Sequence, residues 1–283
     1  MNAKELYIHL EKDFPVGICD DNWSNIGNLE YITQQYKNCY MGLVTDNSTT
    51  IDYVYTAVFP SVNVINKIVR NNRQNALLFL HHPMDWDITK IPVFTDISAQ
   101  SLEIFKQRNI SIFNYHAPLD ANGEYSTTNN FAKALGIKIT DEFYEYHNVL
   151  VGIIGTTDCN TINDLQYKFD IAVGHKTKLY QYGDTNIKDN KVALIAGGGN
   201  EADVYPMLKE RGINTYLTGI ANLRTYYQPS VNSHNSARDC KVNIISGTHY
   251  STEKFACIKM VEYFKKLGVN GEFISDKPCM DDM

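Results

Sequence analysis

The run Ala76-Leu-Leu-Phe-Leu80, closed by His81-His82-Pro83, constrains this chain more than any other stretch. Five apolar residues in a row, stopped by a proline, read as a buried strand. Two adjacent histidines then stand at its carboxyl end. Ligands of open α/β sheets gather outside the carboxyl ends of strands, and imidazole is the commonest metal ligand. A buried strand delivering two imidazoles to a sheet edge is a candidate metal site. The pair alone also fits two ordinary structural histidines, so the question is whether other strand ends supply matching ligands.

The neighbouring segments suggest that they do. A helix is expected over 61–73, on the spacing of Val62, Ile65, Ile68 and Val69, and it precedes the histidine-bearing strand. Ser98 to Arg108 reads as a helix with Leu102, Ile104 and Phe105 inward, and Ile110-Ser-Ile-Phe113 reads as the next strand. Strand, helix, strand is a βαβ unit, which gives a parallel sheet and a right-handed crossover. Both strands then end at the same sheet edge. The second ends in Tyr115-His116-Ala-Pro-Leu-Asp120, where Pro118 argues against a regular helix. A loop there presents His116 and Asp120 to one point, or Asp120 simply caps the turn Ala121-Asn122-Gly123.

A third cluster, Gly247-Thr-His249-Tyr-Ser-Thr-Glu253, again follows a strand, Val242 to Ile245, and opens a helix over about 251–267. Thr248 or Ser251 is the expected cap. Histidine and glutamate four apart share a helix face, as on zinc-binding helices. The plainer reading of Glu253 is an acid placed favourably in a first helical turn. Together, three strand ends carry His81 and His82, His116 and Asp120, His249 and Glu253. That mixture of imidazole and carboxylate suits zinc, iron or manganese. It also exceeds what one tetrahedral ion needs, which favours two divalent ions.

The rest of the chain sets bounds. At 283 residues and 43% hydrophobic, it can build two domains with real cores. A net charge of -6, with no run of lysine and arginine, argues against nucleic acid as the main partner. Six cysteines without a CxxC pair read as free thiols of a reducing compartment. No apolar run nears the roughly 18 residues of a membrane span, and the amino terminus lacks a signal-peptide pattern. A cytoplasmic location is expected. The amino-terminal helix, with Leu6, Ile8 and Leu10 as apolar points, ends at Phe14-Pro15. From about 126 to 240 the chain carries its own α/β pattern: a strand to Ala196, a turn at Gly197-Gly-Gly199, a helix from Glu201 to Arg211 and a strand at Thr215 to Leu217. The glycines suit either a phosphate cradle or a tight turn. We therefore expect an α/β fold of two domains. The metal-binding one is discontinuous, from 1–125 and 241–283, and the second is inserted at 126–240.

The motifs His81-His82-Pro83, His116-x-Pro-Leu-Asp120 with Asn129-Asn130, and Gly247-x-His249-Tyr-x-Thr-Glu253, in that order, resemble those of the NIF-three-like dinuclear metal-binding family, the GTP cyclohydrolase type-two homologues. Trp23 and Thr218-Gly219 fit the same pattern. The resemblance implies metal ligation by His81, His82, Asp120, His249 and Glu253, with Glu253 bridging both ions. It places His116 beside the metals as an acid/base or outer-sphere group, and brings His234 towards them. It also implies a homohexameric ring. Ile220 and Phe59-Pro60 depart from the pattern. The function expected is metal-dependent hydrolysis of a small substrate, a nucleotide among the candidates. The alternative is a non-enzymatic metal or metallocofactor chaperone, or a regulatory binding scaffold.

Overall fold

The computed structural model describes residues 1–283, which divide into two compact α/β units. The first comprises Met1–Ala121, Tyr146–Val149 and Ala256–Lys277; the second comprises Asn122–Glu145, Leu150–Phe255 and Pro278–Met283.

The first unit is built on a five-stranded sheet in the spatial order Gly42–Thr45, Ile110–Asn114, Ala76–Leu80, Tyr53–Ala57, Gly271–Phe273. The last four are mutually parallel, and Gly42–Thr45 runs antiparallel at the edge. Every residue of Ala76–Leu80 and Ile110–Asn114 is buried. Strands buried along their whole length are what a parallel sheet covered on both faces requires. The expected βαβ unit is present. Ser98 caps the crossover helix Ala99–Gln107, accepting from the Ser101 amide at 3.2 Å, and Leu102 and Phe105 pack inward. Leu80 sits in register with Asn114. The pairing continues past the strand ends, with the Tyr115 amide donating to the Leu80 carbonyl at 3.1 Å. Two histidine-bearing exits therefore leave the sheet side by side.

The second unit has a six-stranded sheet in the order Lys138–Tyr146, Val149–Thr156, Lys191–Ile195, Thr215–Thr218, Asn243–Ser246, Lys178–Tyr180. The Lys191–Ile195, Thr215–Thr218 and Asn243–Ser246 strands are parallel, and the neighbours on either side of them are antiparallel. Phe131, Leu165, Phe169, Leu194, Leu217 and Ile245 form part of its core.

Several expectations need correction. Ile8 is 61% exposed, and Ala3, Leu6, Tyr7 and Leu10 form the buried stripe instead, a run at i, i+3, i+4, i+7. Val62 is likewise exposed, and Val64, Ile65 and Ile68 face the core. The helix after the triple glycine is short, Val204–Glu210. A further strand, not expected from the sequence, follows the one near Val242: Gly271–Phe273 adds to Tyr53–Ala57. The strand near Val242 pairs with Thr215–Thr218. Residues 241–255 thus fall in the second unit, and the first resumes at Ala256. Sheet pairing, which spacing along the chain does not reveal, decides that boundary. All six thiols are free, and no helix is long and apolar enough to cross a membrane.

Candidate metal centre

In the first unit the strand exits bring three imidazoles together. Donor nitrogens of His81, His82 and His116 lie within 4.8 Å of one another. The His81 and His82 rings meet edge to face at 4.4 Å, and the His82 and His116 centroids are 4.7 Å apart. Phe59, one of the departures from the family pattern, stacks on His82 at 4.5 Å. His116 does not head a loop. Ala117–Asp120 is a single helical turn with His116 at its N-cap. Pro118 fits because the first turn of a helix has no internal partner for its N–H groups. That turn puts Asp120 back over its own start, with Oδ2 at 3.7 Å from His116 Nε2 and Oδ1 at 3.4 Å from His81 Nε2.

Asp21, which is not among the site residues expected from the sequence, is buried, and its Oδ2 accepts from His116 Nδ1 at 3.1 Å and from the Ala117 amide at 3.2 Å. Burial pushes its carboxyl up, but the hydrogen bond and positive charge of His116, together with the Ala117 amide, prevail and hold it below the usual carboxylate range. His147 reaches the other oxygen at 3.9 Å. Trp23 packs edge-on against His116 and His82, at 5.2 and 5.7 Å. The signal for Asp21 is faint: an acidic pair two residues before a tryptophan, about 95 residues from its partner.

In the second unit the helix His249–Lys266 starts at His249 itself, and Thr248 caps it by accepting from the Ser251 amide at 3.1 Å. The four-residue spacing therefore works as one helical face, with His249 Nε2 at 3.1 Å from Glu253 Oε1. Gly197 explains the triple glycine. At φ +67° an added Cβ would lie 2.1 Å from Glu253 Oε1. Its amide donates to Thr252 Oγ1 at 2.9 Å, and its carbonyl accepts from Gly219 and Ile220. The glycine turn is thus a seat for a carboxylate, and the next helix begins only at Val204, so no helix N-terminus faces a phosphate there. His234 is committed elsewhere: its Nε2 donates to the Ala221 carbonyl and Tyr182 lies on its Nδ1, both at 2.8 Å. His175 Nε2 meets Ser251 Oγ at 2.8 Å.

The first unit thus brings together His81, His82, His116 and Asp120, and the second brings together His249 and Glu253. The chemistry of these donors fits divalent ions. His81 Nδ1 lies 3.1 Å from the Tyr115 carbonyl, which only accepts, so Nδ1 carries the hydrogen. In the neutral ring Nε2 is then a lone pair directed at the Asp120 carboxylate, at 3.4 Å. Two electron-rich groups so placed suit a shared cation, and a backbone carbonyl on the far nitrogen is the usual support of a metal-bound histidine.

Comparison with known proteins gives a consistent result. The sequence model of the Duf34/NIF3 (NGG1p interacting factor 3) family matches residues 1–278. A Borreliella burgdorferi protein named GTP cyclohydrolase 1 type 2 homolog is 23% identical over 268 residues, covering 94% of each chain. A Pyrococcus horikoshii protein of the same name is 26% identical, covering 88% of this chain and 93% of its own. Among solved structures, protein ybgI, of unknown function, superposes with a TM-score of 0.76 at 20% identity, over 98% of this chain and all of that one. Reduced HcgD from Methanocaldococcus jannaschii superposes with 0.69 at 22% identity, over 98% of both chains. At these identities the structures speak for the fold.

Proposed function

The chain belongs to the Duf34/NIF3 family, and from that premise we propose that it binds two divalent ions and acts as a metal-dependent hydrolase on a small substrate. The residues that would hold the ions in this reading are His81, His82, Asp120, His249 and Glu253. The observation that carries it is the His81 ring, whose Nδ1 donates to the Tyr115 carbonyl while its Nε2 faces the Asp120 carboxylate at 3.4 Å. When bound, a pair of such ions makes water nucleophilic near neutral pH and polarises a carbonyl or phosphoryl oxygen.

The remaining roles belong to the chain. His81, His82 and Asp120 bind; His249 and Glu253 bind from one helical turn. His116 moves a proton at Nε2, because Asp21 occupies its Nδ1. Asp21 fixes the tautomer and the ring plane, and Trp23 keeps water from the back of both rings. A homohexamer is the assembly proposed. The 19 tyrosines suit buried interfaces, and a monomer mass by light scattering at micromolar concentration would refute it.

Metal analysis of protein purified without chelator and then loaded with zinc or manganese tests the reading. Two ions per chain are expected, and at most one counts against it. A hydrolase screen, with metal-free protein as control, separates an enzyme from a metal carrier. The carrier exchanges its ions and turns nothing over. His116→Ala should keep both ions and lose turnover; loss of an ion instead makes His116 a ligand.

A further inference from the structure

Residues 279–283 lie beyond the stretch that matches the family, yet they are built into the second unit. Met280–Asp282 forms one turn of 3-10 helix. Asp282 is wholly buried. Its Oδ2 accepts the backbone N–H of His249 at 2.9 Å. Its carbonyl accepts from the Ala221 and Asn222 amides at 2.9 and 3.0 Å, and Asn222 Nδ2 donates to the Asp281 carbonyl. The Ala221 carbonyl in turn takes the hydrogen bond of His234. The tail is therefore pinned at several points.

A buried carboxylate is costly unless charge and hydrogen bonds compensate it. Here both come from the first turn of the His249–Lys266 helix, where the N–H groups point outward and the dipole is positive. That turn already has a local cap, Thr248. Asp282 arrives from 33 residues further along and grips the amide of His249 itself. The His249 amide fixes where the helix begins and how its first turn is rotated. The same turn carries Glu253 round to the Gly197 seat.

We propose that Asp282 is a positioning residue for the metal centre: by holding the His249 amide it sets the first helical turn, so that the tail 279–283 is needed for full metal affinity. The proposal rests on the metal reading given above and goes beyond it, since Asp282 is no ligand in that reading.

Cobalt(II) loading of the full chain tests it, with binding followed by competition with a chelator and coordination followed by the visible spectrum. Asp282→Ala is expected to lower cobalt affinity about 10- to 100-fold, the range for groups that orient metal ligands, and to change the spectrum. Asp282→Asn keeps an oxygen acceptor for the His249 amide and should restore most of both. If Asp282→Ala and Asp282→Asn bind cobalt as the wild type does, with the same spectrum, the positioning role is wrong and Asp282 merely anchors the tail. A loss of thermal stability with unchanged affinity and spectrum overturns the role in the same way. Should Asp282→Ala fail to fold, removal of residues 280–283 replaces it, with the same expected loss and the same overturning result. Wild-type protein that takes up no cobalt overturns the metal reading itself, and the positioning role with it.

Discussion

The two groups of donors are held by different means. Those of the first unit hang from neighbouring parallel strands, so their spacing is set by register between Leu80 and Asn114. Their orientation comes from partners far along the chain, Tyr115 for His81 and Asp21 for His116. Those of the second unit sit on one helical turn, where geometry alone sets the separation. What must come from elsewhere there is room, supplied by Gly197, and a fixed start, supplied by Thr248 and Asp282. A sheet-held donor fails when its orienting partner is lost. A helix-held donor fails when its seat is filled.

The largest effect should follow from filling that seat. Gly197→Ala places a methyl on Glu253 Oε1 at a left-handed φ, and a loss of about 2–4 kcal/mol is expected in denaturant unfolding, with weaker metal binding. Wild-type stability and affinity together would show that the carboxylate needs no such seat. Next in size is the orienting carboxylate of the first unit. Asp21→Ala strands the His116 Nδ1–H and the Ala117 amide without an acceptor, at a cost of about 1–3 kcal/mol. Asp21→Asn, which can still accept one of these bonds, should recover part of that. Equal losses in the two variants would mean that charge, not geometry, is what His116 requires.

The units should also answer pH in opposite senses. In the first, burial and then the Asp276 charge push the Asp85 carboxyl up to about 6. The folded state then holds a proton that the unfolded chain releases, so stability is full below about pH 4 and declines as pH rises through about 6. Asp85→Asn removes the decline, and thermal melts should show a gain of about 1 kcal/mol at pH 7, discounted for partial exposure, and none at pH 3.5. In the second, burial lowers the pKa of His234. The unfolded chain binds the proton more readily, so stability is full above about 6.5 and erodes as pH falls below it. Peptide-resolved hydrogen exchange of Gln228–Cys240 should show the smallest effect of all, a few tenths of a kcal/mol. His234→Gln should abolish it. An unchanged pH slope in that variant would move the effect to another group.

How much of this is legible in the sequence follows the same division. Buried strands, the βαβ unit and the His249–Glu253 face are local patterns, and the chain displays them openly. Pairing between distant strands is not local, which is why spacing alone assigns Asn243–Ser246 to the wrong sheet and overlooks Gly271–Phe273. The single turn Ala117–Asp120 is obscured by Pro118, a residue that breaks helices everywhere except where it stands here. Asp21 and Asp282 act through hydrogen bonds to residues far away in sequence. Only the faint acidic pair before Trp23 marks the first of them along the chain, and nothing marks the second. The triple glycine is visible, but its purpose depends on knowing that Glu253 approaches it.

The late strand has a consequence for biosynthesis. Tyr53–Ala57 is flanked by Ala76–Leu80 on one side and by Gly271–Phe273 on the other. On a ribosome adding about 5–20 residues per second, the second neighbour emerges on the order of ten to forty seconds after the first strand. Until then the Tyr53–Ala57 edge offers unpaired backbone groups to any passing strand. The sheet that carries three of the histidines is therefore opened long before it can be closed, and expression at reduced temperature or with a holding chaperone should raise the soluble yield.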